Sequence, residues 1–188
     1  MNIRLIYLFF FCGTLFGEVG GFDNGTSSGK GNLDISLTWN PNNFFENGQD
    51  YIVLGYGMSK NIDLNYYYSH SKYTDNYYYG ISYQFYRSSK LDLSTGLGVR
   101  NYTDKTLSHL FYPQLLFSYK INHKFNFGGS LVDIRCRNGK NSEGIAYDVF
   151  LRFLIKKKIF FTIGAFNPVL WKSQFGDWHP TYSIVFKI

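Results

Sequence analysis

Cysteine is nearly absent from this chain: of its 188 residues, only Cys12 and Cys136 are cysteines. Cys12 lies in an N-terminal stretch that reads as a removable leader, leaving Cys136 alone, so an internal disulfide and a cysteine-based metal site are excluded. The four histidines are scattered and no cluster has metal-ligand spacing, so no metal and no cofactor are expected. Beyond the leader no stretch is apolar over anything near the roughly 20 residues a membrane-spanning helix requires, which excludes a helical membrane protein. Neither a linker nor a low-complexity tract divides the chain, and its length is that of one domain.

The leader runs from Met1 to Gly17, with a basic start at Arg4, an apolar run from Leu5 to Phe16, and a small residue before Glu18. This is the layout of a secretory signal peptide, whose apolar core is about 7–15 residues long. Cys12 follows Phe10 and Phe11, which does not suit a lipoprotein signal. The expected organisation is a signal peptide over 1–17, a flexible periplasmic lead-in over 18–30, and one β-barrel domain over 31–188.

Aromatic residues, by contrast, are abundant. They make up 21% of the chain, with 17 Tyr and 19 Phe, yet the mean hydropathy is −0.20. That combination suits a chain in which only alternate residues are apolar. Leu33-Asp34-Ile35-Ser36-Leu37-Thr38-Trp39 shows the alternation most clearly, and its period of two is that of a strand with one greasy and one wet face. Counting this pattern along the chain predicts strands over 31–40, 49–58, 61–70, 76–86, 90–101, 109–119, 124–135, 144–155, 158–167 and 179–188. Each is near the roughly 9–11 residues a tilted strand needs to cross a bilayer. Short connections alternate with longer ones, the pattern of an antiparallel up-and-down transmembrane β-barrel of ten strands, with eight as the alternative.

One parity holds residues such as Ile52, Leu54, Tyr79, Ile81, Leu97, Val149 and Phe161, which should face lipid. The other holds Gly55, Gly80, Ser82, Gly96, Gly98 and Thr162, small and polar residues that suit the inside of a narrow barrel. Tyrosines near strand ends, including Tyr66, Tyr68, Tyr77 and Tyr182, suit aromatic belts at the headgroup level. Two places break the pattern. Pro113 removes a ladder donor inside the sixth strand and predicts a bulge or rim position. In the seventh strand Leu131 shares the parity of Phe127 whereas Val132 and Ile134 do not, predicting a bulge near Gly128-Gly129.

The net charge of +6 is distributed in a way that does not indicate nucleic acid. The short connections carry Lys60, Arg87, Lys90, Lys120, Lys124 and Lys156-Lys157-Lys158 without an acid, while the longer ones mix both signs. Such a rim either solvates the turns or meets acidic headgroups or a periplasmic partner. Inside, Asp34, Asp63, Asp92, Arg100, Asp148, Arg152 and Lys187 form the candidate lumen charge set. Unpaired charge in a low-dielectric interior is costly, so these must pair or stay hydrated. Tyr51, Tyr67, Tyr78, Tyr112, Phe150, Phe160 and Phe166 share the inward parity and would fill space. Barrels of about eight strands are filled by their own side chains, so ten strands predict a structural charge network or, in the functional reading, a narrow polar conduit.

No catalyst can be assembled. Asp177 with His179, or His70 with Asp75, would orient a base but lacks a nucleophile. The glycine-rich Gly25 to Gly31 is one residue short of a phosphate loop and has Gly31 where Ser or Thr should stand. No catalytic residue is expected.

The last strand carries a family resemblance. Thr181-Tyr182-Ser183-Ile184-Val185-Phe186-Lys187-Ile188 resembles the C-terminal signal by which bacterial outer-membrane β-barrel proteins are recognised for assembly. Ser183 stands where glycine is usual, and Ile188 where the terminal residue is usually Phe. The resemblance implies the outer membrane of a Gram-negative bacterium, outer-membrane lipid as its surroundings, and delivery by periplasmic chaperones to the barrel assembly machinery. Neither the paired acids of omptin-like proteases nor the His and Ser spacing of deacylase-like barrels is present. The expected role is therefore non-enzymatic, in envelope structure or as a narrow conduit for small solutes. The alternatives are an outer-membrane enzyme acting on lipid or peptide, and a secreted lipocalin-like binding barrel.

Overall fold

A computed structural model describes residues 24–41, 49–70, 75–103, 108–136, 144–168 and 179–188. Its strands are β1 (Leu33–Asn40), β2 (Gln49–Gly57), β3 (Ile62–His70), β4 (Asn76–Arg87), β5 (Leu91–Tyr102), β6 (Ser108–Lys120), β7 (Phe125–Cys136), β8 (Gly144–Lys156), β9 (Ile159–Pro168) and β10 (His179–Lys187). Each begins and ends within two residues of the stretch its alternation predicts. Every strand pairs antiparallel with its neighbours in the chain, and β1 pairs with β10 to close a ten-stranded barrel.

Side-chain alternation sets the two surfaces. Along β2, Ile52 is 49% exposed and the next residue, Val53, 4%. Leu37, Ile81, Leu97 and Leu131 are likewise exposed, whereas Thr38, Gln84, Asp92 and Thr162 are buried. Polar residues thus face in and apolar residues face out, the reverse of a water-soluble barrel and the composition a bilayer requires. A lipocalin-like barrel needs the Leu, Ile and Tyr parity to line an internal cavity; that parity faces outward, which removes the alternative.

Pro113 occupies a register shift. The pairing of β6 with β7 slips between Phe111 and Gln114, and that with β5 slips between Gly96 and Gly98. The slip turns Tyr112 outward, 50% exposed, contrary to its expected inward parity, because the irregular residues shift the alternation. The expected bulge at Gly128-Gly129 does not occur. The β7 pairing with β8 is unbroken from Phe125 with Phe153 to Ile134 with Gly144. Val132 and Ile134 simply face inward and are buried, with a regular parity, because the inner face at this level is the apolar layer they share with Tyr67, Tyr78 and Phe111. Gly128 is there for space, since a Cβ would stand 2.4 Å from Phe150 Cζ.

The closing seam uses the last strand. Asp34 and Lys187 form an ion pair of 2.9 Å, the Thr38 and Ser183 hydroxyls share a 2.9 Å hydrogen bond, and the Trp39 and Tyr182 rings lie 6.0 Å apart. Of the residues expected to form an assembly signal, Thr181 and Ser183 are buried inside, while Ile188 is 62% exposed at the short-turn end. Ser183 in the usual glycine position thereby supplies a seam hydrogen bond that glycine lacks.

Candidate functional site: the barrel lumen

The lumen is closed at two levels. At the short-turn end the described part of the lead-in, residues 24–30, enters the barrel instead of lying free in the periplasm. Thr26 Oγ1 donates to Asp92 Oδ2 at 2.7 Å, and Ser27 Oγ donates to Asp63 Oδ1 at 2.7 Å. The Ser27 and Ser28 amides donate to Gln84 Oε1 and Asp63 Oδ2 at 3.0 and 2.9 Å. Ser94 Oγ donates to the Gly25 carbonyl at 2.7 Å, and Asn24 accepts from Ser118 Oγ at 2.5 Å. The segment is therefore bonded to β3, β4, β5 and β6. Its glycines permit the close approach: a Cβ on Gly25 would stand 2.7 Å from the Asp92 carbonyl oxygen.

Beside the lead-in lies a polar cavity of about 50 Å³ whose lining includes Ser28, Asp34, Asp63, Asn65, Ser82 and Arg152. A water needs roughly 10–15 Å³ of such space, so the cavity is sized for a few waters and not for an organic ligand.

Toward the long-loop end the lumen is crossed by a buried apolar layer of Val53, Tyr67, Tyr78, Phe111, Val132, Ile134 and Ala146, against which Tyr51 packs. The Tyr67 and Tyr78 rings stack at 5.4 Å, and Phe111 meets Tyr78 edge-on at 5.5 Å. Gln114 Nε2 donates to the Tyr78 hydroxyl at 2.7 Å, satisfying it inside the layer. The layer spans β2, β3, β4, β6, β7 and β8, so it reaches across the barrel. Tyr78 lies flat on the wall because Gly80 and Gly98 leave room: a Cβ on Gly98 would sit 1.9 Å from its hydroxyl oxygen.

The seven candidate lumen charges are distributed over the wall and do not form one network. Asp34 pairs with Lys187, and Asp92 pairs with Lys120 at 2.9 Å. Asp63 is held by the lead-in, and Asp148 accepts from the Ser130 amide and hydroxyl at 2.6 and 2.8 Å. Among the described residues neither arginine has a carboxylate within ion-pairing distance. Arg152 Nε donates to Thr162 Oγ1 at 3.0 Å and its guanidinium lies 5.0 Å from the Phe150 ring. Arg100 lies 4.9 Å from the Phe111 ring and 5.4 Å from the Tyr102 ring, within the distance of a cation–π contact. Phe160 lies under the Lys187 ammonium, 6.0 Å away, while the Phe166 side chain is outside the described residues.

Two functional groups are not legible in the sequence: Lys120, which its position in a short connection places at the rim, and the hydroxyl run Thr26-Ser27-Ser28, which reads as part of a flexible lead-in. Its signal was the density of hydroxyl donors opposite otherwise unpaired inward aspartates. Of the base candidates, His70 Nδ1 and Asp75 Oδ1 do meet, at 2.6 Å, with Tyr68 donating to Asp75 Oδ2 at 2.6 Å. The group is exposed on the long-loop rim, and among the described residues no Ser, Thr or Cys is bonded to His70. Asp177 and the His179 side chain lie outside the described residues. No group of His, Cys, Asp and Glu among the described residues has the arrangement of a metal site.

An antiparallel ten-stranded barrel, apolar outside and polar or aromatic inside, defines the class as a small outer-membrane β-barrel. Among solved structures the chain is similar to KdgM porin, with a TM-score of 0.50 and 10% identity over 83% of this chain and 97% of that one. KdgM porin in complex with disordered oligogalacturonate matches with a TM-score of 0.50 at 9% identity, again over 83% of this chain and 97% of that one. The de novo designed barrel TMB2.3 gives a TM-score of 0.44 at 13% identity, covering 85% and 96%. No protein-family model matches the chain, and no curated protein matches it.

Proposed function

We propose that this chain is a non-enzymatic integral protein of the Gram-negative outer membrane, closed at rest, with a role in envelope structure. The observation that carries this reading is the buried apolar layer around Tyr67, Tyr78 and Phe111, whose residues come from β2, β3, β4, β6, β7 and β8. A non-enzymatic role is supported by the isolated, rim-exposed position of His70 and Asp75. In a planar bilayer the purified protein should give no steady conductance. A stable open current from the intact chain would overturn the closed-barrel reading.

A second reading, a narrow conduit for small solutes, is favoured by one observation. The lead-in is held in the lumen by side-chain and amide hydrogen bonds and a single parallel bridge, Asn24 with Phe117, not as a strand of the wall. The porin name of the similar structure agrees with it. For biogenesis we propose delivery by periplasmic chaperones and recognition of Thr181 to Ile188 by the barrel assembly machinery. The folded protein should migrate on a gel differently before and after heating. Deleting Tyr182 to Ile188 removes the strand that closes the seam and should abolish that shift; a retained shift would show that closure does not need β10.

A further inference from the structure

Among the described residues, the exposed charged side chains at the short-turn end are all basic. Lys60 lies between β2 and β3, Arg87 ends β4, Lys90 lies between β4 and β5, and Lys124 lies between β6 and β7, all exposed. Lys156 ends β8, Lys157 and Lys158 follow before β9, and Lys30 lies on the lead-in, again all exposed. Every short turn contributes, so the cations encircle the barrel instead of forming a patch on one side. The aspartate side chains described at this end are turned away from them. Asp34, Asp63 and Asp92 point inward and are engaged by Lys187, by the lead-in, and by Lys120 and Thr26 respectively. At the opposite end the described charges are mixed, with Asp133 paired to Arg135 at 2.8 Å and Asp75 to His70.

We propose that this ring is a binding surface for the phosphate groups of anionic phospholipids in the leaflet that the short turns face. The inference rests on the membrane reading above and adds a lipid class to it. Three features favour lipid over a macromolecular partner. An encircling arrangement matches the annulus of lipid around a barrel, whereas a docked protein would need its charges gathered on one face. The cations are almost all lysines, compact charges on flexible stems that suit many independent phosphates and not one shaped anion. Finally, they sit just beyond exposed outward residues, Met58, Tyr86, Tyr119, Ile121 and Ile155. That is the level at which hydrocarbon gives way to headgroups, and lysine stems can lie along the apolar surface while the ammonium reaches the phosphate.

The test uses the full chain reconstituted in vesicles of phosphatidylcholine containing a minor fraction of phosphatidylglycerol. Spin-labelled phosphatidylglycerol and phosphatidylcholine are compared for the fraction immobilised by the protein. Preference for the anionic lipid should be at least about threefold at low salt and fall toward unity in high salt, because surface charge is screened. A variant carrying K60Q, K90Q, K124Q, K156Q and K157Q should lose most of the preference. Lys120 and Lys187 stay unchanged because they hold Asp92 and Asp34. Heat-modifiable migration of both proteins from the vesicles reports insertion separately, so failure of the membrane reading is distinguishable from failure of this one. Equal immobilisation of the two lipids, or a preference that survives in the glutamine variant, overturns the proposal. So does absence of lipid preference together with lysine-dependent sedimentation on peptidoglycan sacculi, which would assign the ring to that polymer.

Discussion

A chain lacking residues 24–30 and carrying Tyr78→Ala with Phe111→Ala is expected to conduct steadily in a planar bilayer, while the intact protein and either change alone stay closed. The reason is that the two closures lie in series, so either one blocks the path. The lead-in fills the short-turn end through its bonds to Asp63, Gln84 and Asp92. The aromatic layer fills the other half, with Tyr78 stacked on Tyr67 and wedged by Phe111. Truncating both rings removes the two side chains at the centre of the layer and leaves Gln114 to be solvated. Each large aromatic truncation costs about 3–5 kcal/mol where the site cannot collapse, so heat-modifiable migration must accompany the recordings as evidence of a folded barrel. Conductance from the lead-in deletion alone would mean the aromatic layer does not seal. A closed trace from the combined variant would place a third obstruction in the lumen.

Gly57→Val is expected to drive the lead-in out of the barrel without deleting it. The Gly29 carbonyl oxygen passes 1.9 Å from where a Cβ on Gly57 would be, and it is backbone, so it cannot swing aside as a side-chain tip would. The crossing is tied by Gly31 N to Gly57 O at 2.8 Å and Gly57 N to Asn32 O at 3.0 Å. Gly29 and Gly31 adopt φ of 83° and 79°, the left-handed region that glycine enters freely, so the turn into the lumen depends on them. Overpacking of this kind costs about 1–3 kcal/mol, enough to raise the undocked population about fivefold to 150-fold. Ser27→Cys in a Cys136→Ser background reports it, because Ser27 is buried in the docked lead-in. Its rate of modification by a membrane-impermeant maleimide should be low and should rise by about that factor when Gly57→Val is added. An unchanged rate would show that the crossing at Gly57 does not hold the segment in place.

Much of the wall is legible in the chain itself. Residues 49–57 and 144–156 alternate so regularly that strand, length and outward face follow from period alone. Pro113 likewise marked its irregularity, because a missing backbone donor must interrupt a ladder wherever it falls. The lumen is a different matter. Val132 and Ile134 read as a fault in β7 because nothing local reveals that the inner face changes from polar to apolar toward the long-loop end. Tyr112 has an inward parity that holds only if the register is unbroken, and the register is broken beside it.

The alternation thus determined by itself where the strands run, their two faces and the setting those faces require, because a period of two is a local property of an extended chain; the count of ten rather than eight was fixed by closure of the barrel. Which groups fill the interior was decided only by closure of the barrel. Thr26 and Asp92 are 66 residues apart in sequence and Ser27 and Asp63 are 36 apart, and they meet because β3 and β5 curve around the same narrow space. Lys120 turns from a rim charge into the partner of Asp92 for the same reason. Burial in that space makes an unpaired carboxylate costly, and the hydroxyls and ammonium groups that answer it come from whatever part of the chain the closed wall brings within reach.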